Sequence, residues 1–308
     1  MNKPLVSVIM ITYGHEKYIQ QAIESILIQQ CNFEIELIIS NDCSPDNTDA
    51  VINDIIRNHP KSNLIQYHNH IKNIGMMNNF VFAMQQAKGA YIAICEGDDY
   101  WIDTLKLQKQ FDFLESNKEI VFCFHNANRL DEKTTEFFPY IGLETFKNKE
   151  IVPKNKLFLR AGGTYPTASA FFRKCIIEKL PSYFYSFGVG DTPLLLHALT
   201  QGEIGYLSDV MCVYRTTETN WSSHNTVFAN KLKNYNIKIK AYEGFDRATH
   251  QQYKVSLKIT ISHLTYQVVY AYCQEEKGIS NRLKFYFKYQ FRMNGKQNLK
   301  SIFRIINS

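Results

Sequence analysis

The sequence predicts an α/β protein in which a mixed, mostly parallel sheet is flanked by helices and followed by a helical, basic C-terminal region. Three observations carry this. Short apolar runs alternate with amphipathic stretches over the first 125 residues, the pattern that builds parallel strands crossed by helices. Each run feeds residues at helical spacing. Beyond Asn230 the text becomes basic and rich in Tyr and Phe, without strand-like alternation.

Taken in order, strands are expected at Val6–Ile11, Glu36–Ser40, Leu64–Tyr67, Tyr91–Cys95 and Ile120–Phe124. Between the first two, Tyr18, Ile19, Ala22, Ile23, Ile26 and Leu27 recur at helical spacing; Val51, Ile52, Ile55 and Ile56 do so before the third. A third helix is expected over Met76–Ala87, ending at Gly89, and a fourth near Asp103–Thr104, either of which is a suitable N-cap ahead of Leu105 and Leu107. Residues 126–165 are irregular and polar, so loops or a short hairpin are expected. Order should return at Ala168–Phe172. A helix is expected over Pro193–Thr200, with Pro in its first turn and Gly202 just past its end.

With 308 residues, 45% hydrophobic and 21% charged, the composition is ordinary for a globular chain and excludes collagen, coiled coil and wholesale disorder. No apolar run reaches the roughly 18 residues needed to cross a bilayer, and no signal-peptide pattern opens the chain, so a cytoplasmic location is expected. The seven cysteines form no close pair and suggest neither a disulfide framework nor a zinc ribbon. Charge is divided unevenly: residues 231–308 hold 15 Lys and Arg against 4 Asp and Glu, a net of +11, while residues 1–230 hold 20 against 25, a net of −5. This reads as a catalytic body with a basic appendage that meets something anionic.

In an open α/β sheet the ligand site lies beyond the carboxyl ends of the strands. Thr12 and Tyr13 follow the first strand, Asn41 and Asp42 the second, and Glu96-Gly97-Asp98-Asp99 the fourth, so polar groups from three loops converge on one edge. Adjacent carboxylates repel unless a cation sits beside them, and hard oxygen donors suit Mg²⁺ or Mn²⁺ bridging a diphosphate. Gly97 would let the backbone turn sharply there. The plainer reading is a turn followed by a capped helix, and Asp42 in its Asx-rich loop has an equally plain one.

Together these segments resemble the family 2 glycosyltransferases of the GT-A fold, a Rossmann-like architecture. The stretch from Val6 through Ile11-Thr-Tyr-Gly-His resembles that family's first strand, Leu37-Ile-Ile-Ser-Asn-Asp its second strand and uracil-binding loop, and Gly89 to Trp101 its metal-binding segment. The resemblance implies an inverting enzyme using a nucleotide-sugar donor, a UDP-sugar, and a glycan or lipid-linked acceptor in surface polysaccharide synthesis. It implies that Thr12 and Tyr13 line the nucleoside pocket, that Asp42 accepts the uracil N–H, that Asp98 lies near ribose or metal, and that Asp99 binds the Mn²⁺ or Mg²⁺. Two departures stand out: Glu96 opens the acidic segment where the family often has Asp, and Asn41 stands where many relatives carry Asp. The segment Asn73-Ile-Gly75 to Asn79 resembles the family's Asn-x-Gly approach to the donor, so Gly75 and Asn79 join the candidate donor contacts.

Inversion requires a carboxylate opposite the departing nucleotide to take the acceptor's proton. Asp191, between Gly190 and the helix opening at Pro193, is the candidate base; a purely capping Asp fits the same text. Arg215 and His224, in and before a polar loop, are candidates for the diphosphate, and His224 for a further metal ligand; solvated loop residues are the alternative. Gly162 to Ser169 sits where relatives place acceptor-facing residues. The resemblance divides the chain into a transferase domain over 1–225, with a nucleotide half 1–125 and an acceptor half 126–225, and a helical region 226–308.

Residues 281–308 carry seven cations and no acid, interleaved with Phe and Tyr. Such a segment suits an anionic membrane surface on the cytoplasmic side, or a helical pair packed on the domain with a solvated basic face. A dinucleotide-dependent oxidoreductase lacks its Gly-x-Gly-x-x-Gly here, and a nucleotidyltransferase its basic glycine-rich loop. A non-catalytic nucleotide-sugar or RNA binder remains the other class. Strand-end carboxylates oppose nucleic acid, and none is expected as partner.

Overall fold

A computed structural model of the chain describes residues 5–146, 151–158, 165–217 and 228–307. In chain order the elements are β1 (Val6–Thr12), α1 (Ile19–Leu27), β2 (Ile35–Asn41), α2 (Thr48–Asn58), β3 (Ile65–Asn69), α3 (Met76–Gln86), β4 (Tyr91–Ile94), β5 (Tyr100–Trp101), α4 (Lys106–Ser116), β6 (Ile120–Asp131), β7 (Glu136–Pro139), α5 (Lys154–Phe158), β8 (Phe171–Arg173), α6 (Cys175–Glu178), α7 (Asp191–Leu199), β9 (Glu203–Thr216), α8 (Phe228–Ala248), α9 (Lys254–Glu275), α10 (Ile279–Tyr289) and α11 (Gly295–Asn307). Among the described residues no helix is long and apolar enough to cross a membrane.

The sheet runs β3-β2-β1-β4-β8-β6-β9-β5, with β7 beside β6. Strands β3, β2, β1 and β4 are mutually parallel. Strand β8 enters antiparallel between β4 and β6, and β6 and β9 form a long parallel ladder. Every residue of β1 and β2 is buried, as expected for central strands covered on both faces. Helix α1 turns Ile19, Ala22, Ile23, Ile26 and Leu27 into the same core. Burying an aliphatic side chain of this size stabilises the fold by about 1.5–3 kcal/mol each, which fixes the strand ends as a rigid platform.

The expected strands and helices are present, with differences that have physical causes. Strand β6 continues seven residues past Phe124 because β9 pairs with it as far as Asp131↔Thr216, and the expected short hairpin is β6–β7. The residues Met211–Tyr214 are part of this 14-residue strand β9. Helix α4 opens at Lys106 with Leu105 as N-cap; Asp103 instead accepts the Leu105 N–H at 2.8 Å just outside the helix. Helix α7 opens at Asp191, two residues before Pro193.

Of the described residues, those up to 152, 165–181 and 188–217 form one compact unit, which holds the sheet, and 153–158, 182–187 and 228–307 form a second. In the second, Phe158 packs on Phe245 and Tyr253, the Tyr235 and Thr265 hydroxyls meet at 3.0 Å, and Arg292 pairs with Glu243 at 3.6 Å.

Candidate active site

The loops after β1 and β2 are laced together by backbone donors. Gly14 N–H donates to Ser44 Oγ at 3.0 Å, His15 N–H to Thr48 Oγ1 at 2.9 Å, and Glu16 N–H to Asp46 Oδ2 at 3.0 Å. Between them Asp42 N–H donates to the Thr12 carbonyl at 3.0 Å. Thr12 is buried, whereas Tyr13 is 49% exposed on the rim. The buried Asp42 carboxylate accepts the Ile74 N–H at 2.7 Å and the Gly75 N–H at 3.0 Å. Gly75, the N-cap of α3, has φ +86° with open space around its Cα, so glycine is required there for backbone conformation alone.

The acidic segment leaves β4 while still bonded to β1: Cys95 N–H donates to the Ile9 carbonyl and Gly97 N–H to that of Ile11, each at 3.0 Å. A Cβ at Gly97 would lie 2.7 Å from Thr12 Oγ1 and 2.9 Å from His15 Nδ1. Glycine is thus needed here for close approach to the β1 loop rather than for the sharp turn expected from the sequence. His15 joins the two segments, its Nδ1 lying 3.2 Å from Thr12 Oγ1 and its Nε2 3.8 Å from Asp98 Oδ2.

At this edge Glu96, Asp98 and Asp99 act on one another electrostatically, and Asp191 acts on Glu96. Enclosure by the protein, then the negative charges of Asp98 and Asp191, push the Glu96 carboxyl up to about 8; a hydrogen bond to Thr167 acts the other way. Asp99, 1% exposed, is pushed well above the usual carboxylate range by burial, then by Asp98 and Glu96. Its Oδ1 accepts the Arg215 N–H at 2.9 Å, while Oδ2 is buried and has no hydrogen-bond partner among the described residues.

Asp191 is the first residue of α7, with Gly190 as N-cap. A Cβ at Gly190 would fall 2.6 Å from the Phe80 ring, so the turn is seated directly on α3. The Asp191 Oδ1 accepts the Thr192 N–H at 2.6 Å, leaving the half-buried carboxylate partly occupied by its own helix start. The Tyr165 hydroxyl donates to the Asp191 carbonyl at 3.1 Å. Burial, then Asp191 and Glu96, raise the Tyr165 pKa; burial, then Tyr214, Asp191 and Asp99, raise that of Tyr140. Two tyrosines therefore lie within electrostatic reach of these carboxylates.

Two expected donor contacts have side chains that the scaffold engages. Asn79 is buried with its amide committed to the scaffold: Nδ2 donates to the Ser40 carbonyl at 3.0 Å, and Oδ1 meets Ser40 Oγ at 2.5 Å and His70 Nε2 at 3.1 Å. It fastens α3 to β2. The Arg215 guanidinium is also buried, bonded to Glu132 and Gln21 and lying 5.1 Å from the Tyr18 ring and 4.5 Å from the Tyr100 ring. It holds the end of β9. The expected contacts at His224 and at 162–164 lie outside the described residues.

His15, Glu132, Tyr140 and Tyr165 were not singled out from the sequence. His15 directly follows Thr12-Tyr13-Gly14, and Tyr165 lies within the Gly162–Ser169 segment expected to face the acceptor; Glu132 and Tyr140 sit in the irregular stretch after residue 125, where no pattern marks them.

For a divalent cation, the donor chemistry fits: hard carboxylate oxygens, one of them buried and without a partner. Among the described residues no three His, Cys, Asp or Glu side chains come together as a ligand set. Asp98 and Asp99 would therefore hold such an ion with donor oxygens from elsewhere, as suits Mg²⁺ or Mn²⁺.

Comparisons with known proteins agree with this architecture. Residues 7–179 match the family model described as Glycosyl transferase family 2. An uncharacterised protein of Mycobacterium tuberculosis is 30% identical over 218 residues, taking in 68% of this chain and 58% of that protein, so the chain spans a little over half of that relative's length. The UDP-Glc:alpha-D-GlcNAc-diphosphoundecaprenol beta-1,3-glucosyltransferase WfaP of Escherichia coli is 37% identical over 123 residues, 40% of this chain and 45% of WfaP. Among solved structures, S. aureus TarS 1–349 in complex with UDP-GlcNAc has a TM-score of 0.57 at 15% identity, covering 94% of this chain and 93% of that one. Mannosyltransferase PcManGT from Pyrobaculum calidifontis, in complex with GDP-Man and Mn²⁺, has a TM-score of 0.58 at 13% identity, covering 99% and 86%. At these identities the two structures establish the shared GT-A-type fold. The family model spans more than half of the sequence, including the loops after β1, β2 and β4 that build the acidic edge, and the chain therefore belongs to glycosyl transferase family 2.

Proposed function

We propose that this chain transfers a sugar, with inversion, from a uridine diphosphate sugar to a glycan or lipid-linked acceptor. The observation that carries the reading is that Glu96, Asp98 and Asp99 sit together in the segment after β4, with Asp191 within electrostatic reach of Glu96. Residues 1–125 would bind the nucleotide and residues 126–225 the acceptor. Tyr13 on the rim stacks near the base, and the second lone pairs of the Asp42 carboxylate accept the base N–H while its first hold Ile74 and Gly75 in place. WfaP, by its name, uses UDP-Glc and an acceptor linked to diphosphoundecaprenol, which supports a uridine donor and a lipid-linked acceptor for this relative.

Asp191 acts as general base. As the acceptor hydroxyl attacks the anomeric carbon, its proton passes to the Asp191 carboxylate and the nucleoside diphosphate departs from the opposite face. Tyr165 holds the helix start through the Asp191 carbonyl, and Thr192 orients the carboxylate. Asp98 and Asp99 would hold a divalent cation, Mn²⁺ or Mg²⁺, which would neutralise the charge that builds on the leaving diphosphate. Enclosure by the protein and the charges of Asp98 and Asp191 favour the neutral form of Glu96.

The test is a turnover screen across nucleotide sugars with Mn²⁺, with Mg²⁺ and with EDTA. Cation-dependent release of UDP from one donor is expected. A tight, cation-independent complex with no turnover of any donor in the presence of acceptor glycans would instead favour a binding protein.

A further inference from the structure

Helices α10 and α11 pack on α9 with one side each. Phe285 stacks on Tyr272 at 4.1 Å, Asn294 N–H donates to Ser262 Oγ at 2.7 Å, and the Tyr286 hydroxyl reaches Asn298 Oδ1 at 3.2 Å, so the two helices form a fixed pair. Their other sides are exposed and share a pattern. On α10 and the turn that follows it, Lys284, Phe287, Lys288 and Phe291 are spaced by three, four and seven residues from the first, a single helical stripe. Phe287 is 58% and Phe291 74% exposed. Twelve residues on, Lys296, Leu299 and Lys300 repeat the spacing on α11, with Leu299 71% exposed.

Such side chains have an obvious reason to be buried and are not. Among the described residues none of these four lysines forms an ion pair, and no acidic residue occurs from 281 to 308. Large apolar groups that recur between cations without ion pairs along the exposed stripe of each helix mark an interaction surface. We propose that these two stripes dock the chain on a bilayer bearing anionic headgroups, the lysines at the headgroup level and Phe287, Phe291 and Leu299 in the acyl boundary. The helices lie on the surface and do not span it. Charge complementarity selects an anionic partner. Leu299 selects lipid over single-stranded nucleic acid, because an aliphatic side chain offers no ring on which a base can stack. The proposal goes beyond the transfer reaction, and its test needs no turnover.

The full chain is sedimented with vesicles of phosphatidylcholine alone and with vesicles of phosphatidylcholine and phosphatidylglycerol in equal parts. Binding is expected to the anionic vesicles only and to weaken with salt. Lys284→Ala with Lys288→Ala should lower the partition roughly 25-fold, at roughly fivefold per cation. Phe287→Ser with Leu299→Ser, an independent variant, should lower it even at low salt. All these positions are exposed, so unchanged far-UV circular dichroism is expected for both variants. Equal binding to neutral vesicles, anionic binding untouched by both variants, or release from vesicles by stoichiometric poly(U) would overturn the proposal.

Discussion

Arg215 donates its backbone N–H to Asp99 Oδ1 at 2.9 Å, joining residues 116 apart in sequence and tying the end of β9 to the acidic segment after β4. The Arg215 side chain, enclosed by Tyr18, Tyr100, Glu132 and Gln21, locks that strand end in place. Asp99 thus has one carboxylate oxygen engaged by the scaffold and a second that is buried without a hydrogen-bond partner among the described residues.

Substitutions at Asp99 should separate them. Asp99→Ala leaves the Arg215 N–H buried without an acceptor and should cost about 1–3 kcal/mol in chemical denaturation. Asp99→Asn keeps a carbonyl acceptor and should cost less. Both should abolish Mn²⁺-dependent UDP binding by calorimetry. Full retention of that binding in Asp99→Asn would remove Asp99 from the cation's ligands.

Tyr165→Phe removes only the hydroxyl that fixes the Asp191 carbonyl. The expected result is a kcat lower by roughly tenfold, the scale of a small misplacement of a catalytic group, with KM for donor little changed. Stability should fall by about 1 kcal/mol. A change confined to KM would place Tyr165 at the donor instead.

Gly97→Ala introduces a Cβ 2.7 Å from Thr12 Oγ1 and 2.9 Å from both His15 Nδ1 and Ile19 Cδ1. Overpacking of this kind costs about 1–3 kcal/mol, and the displaced loop should weaken nucleotide binding along with it. Wild-type stability in this variant, read from the denaturation midpoint, would contradict the close packing of the two segments.

Lys106 is fully buried, its Nζ bonded to Gln110 Oε1 at 2.7 Å and 3.8 Å from the Trp101 ring centroid, and burial lowers its pKa to about 8. Between that value and the ordinary 10.5, the unfolded chain holds a proton that the folded chain lacks. Stability should therefore rise with pH across this window, by at most about 1.4 kcal/mol per unit, and the gain should vanish below it. Guanidinium unfolding across pH ~8 to ~10 checks this: Lys106→Met should lack the rise, and an identical pH profile for both proteins would contradict it.

Much of the edge was legible because it depends on local text. Uninterrupted aliphatic runs at β1 and β2 declare central strands; Thr12 closes β1, Asp42 directly follows β2, and Asp98 comes four residues after β4. What was not legible depends on tertiary pairing. Nothing near Phe124 indicates that β6 runs on to Asp131, because the reason is β9, some 80 residues later. Arg215 reads as a loop cation until Glu132 and two tyrosines close around it, and Asn79 reads as a ligand contact until Ser40 and His70 take up its amide. Gly97 announces a turn, whereas its neighbour in space, Thr12, sets the requirement.

The most direct test of the account is Asp191→Asn, assayed side by side with wild type for sugar transfer and for nucleotide binding. Loss of transfer by roughly 10²-fold or more, the scale of a general base, with UDP affinity preserved is the predicted result. Near-wild-type transfer by Asp191→Asn would contradict it.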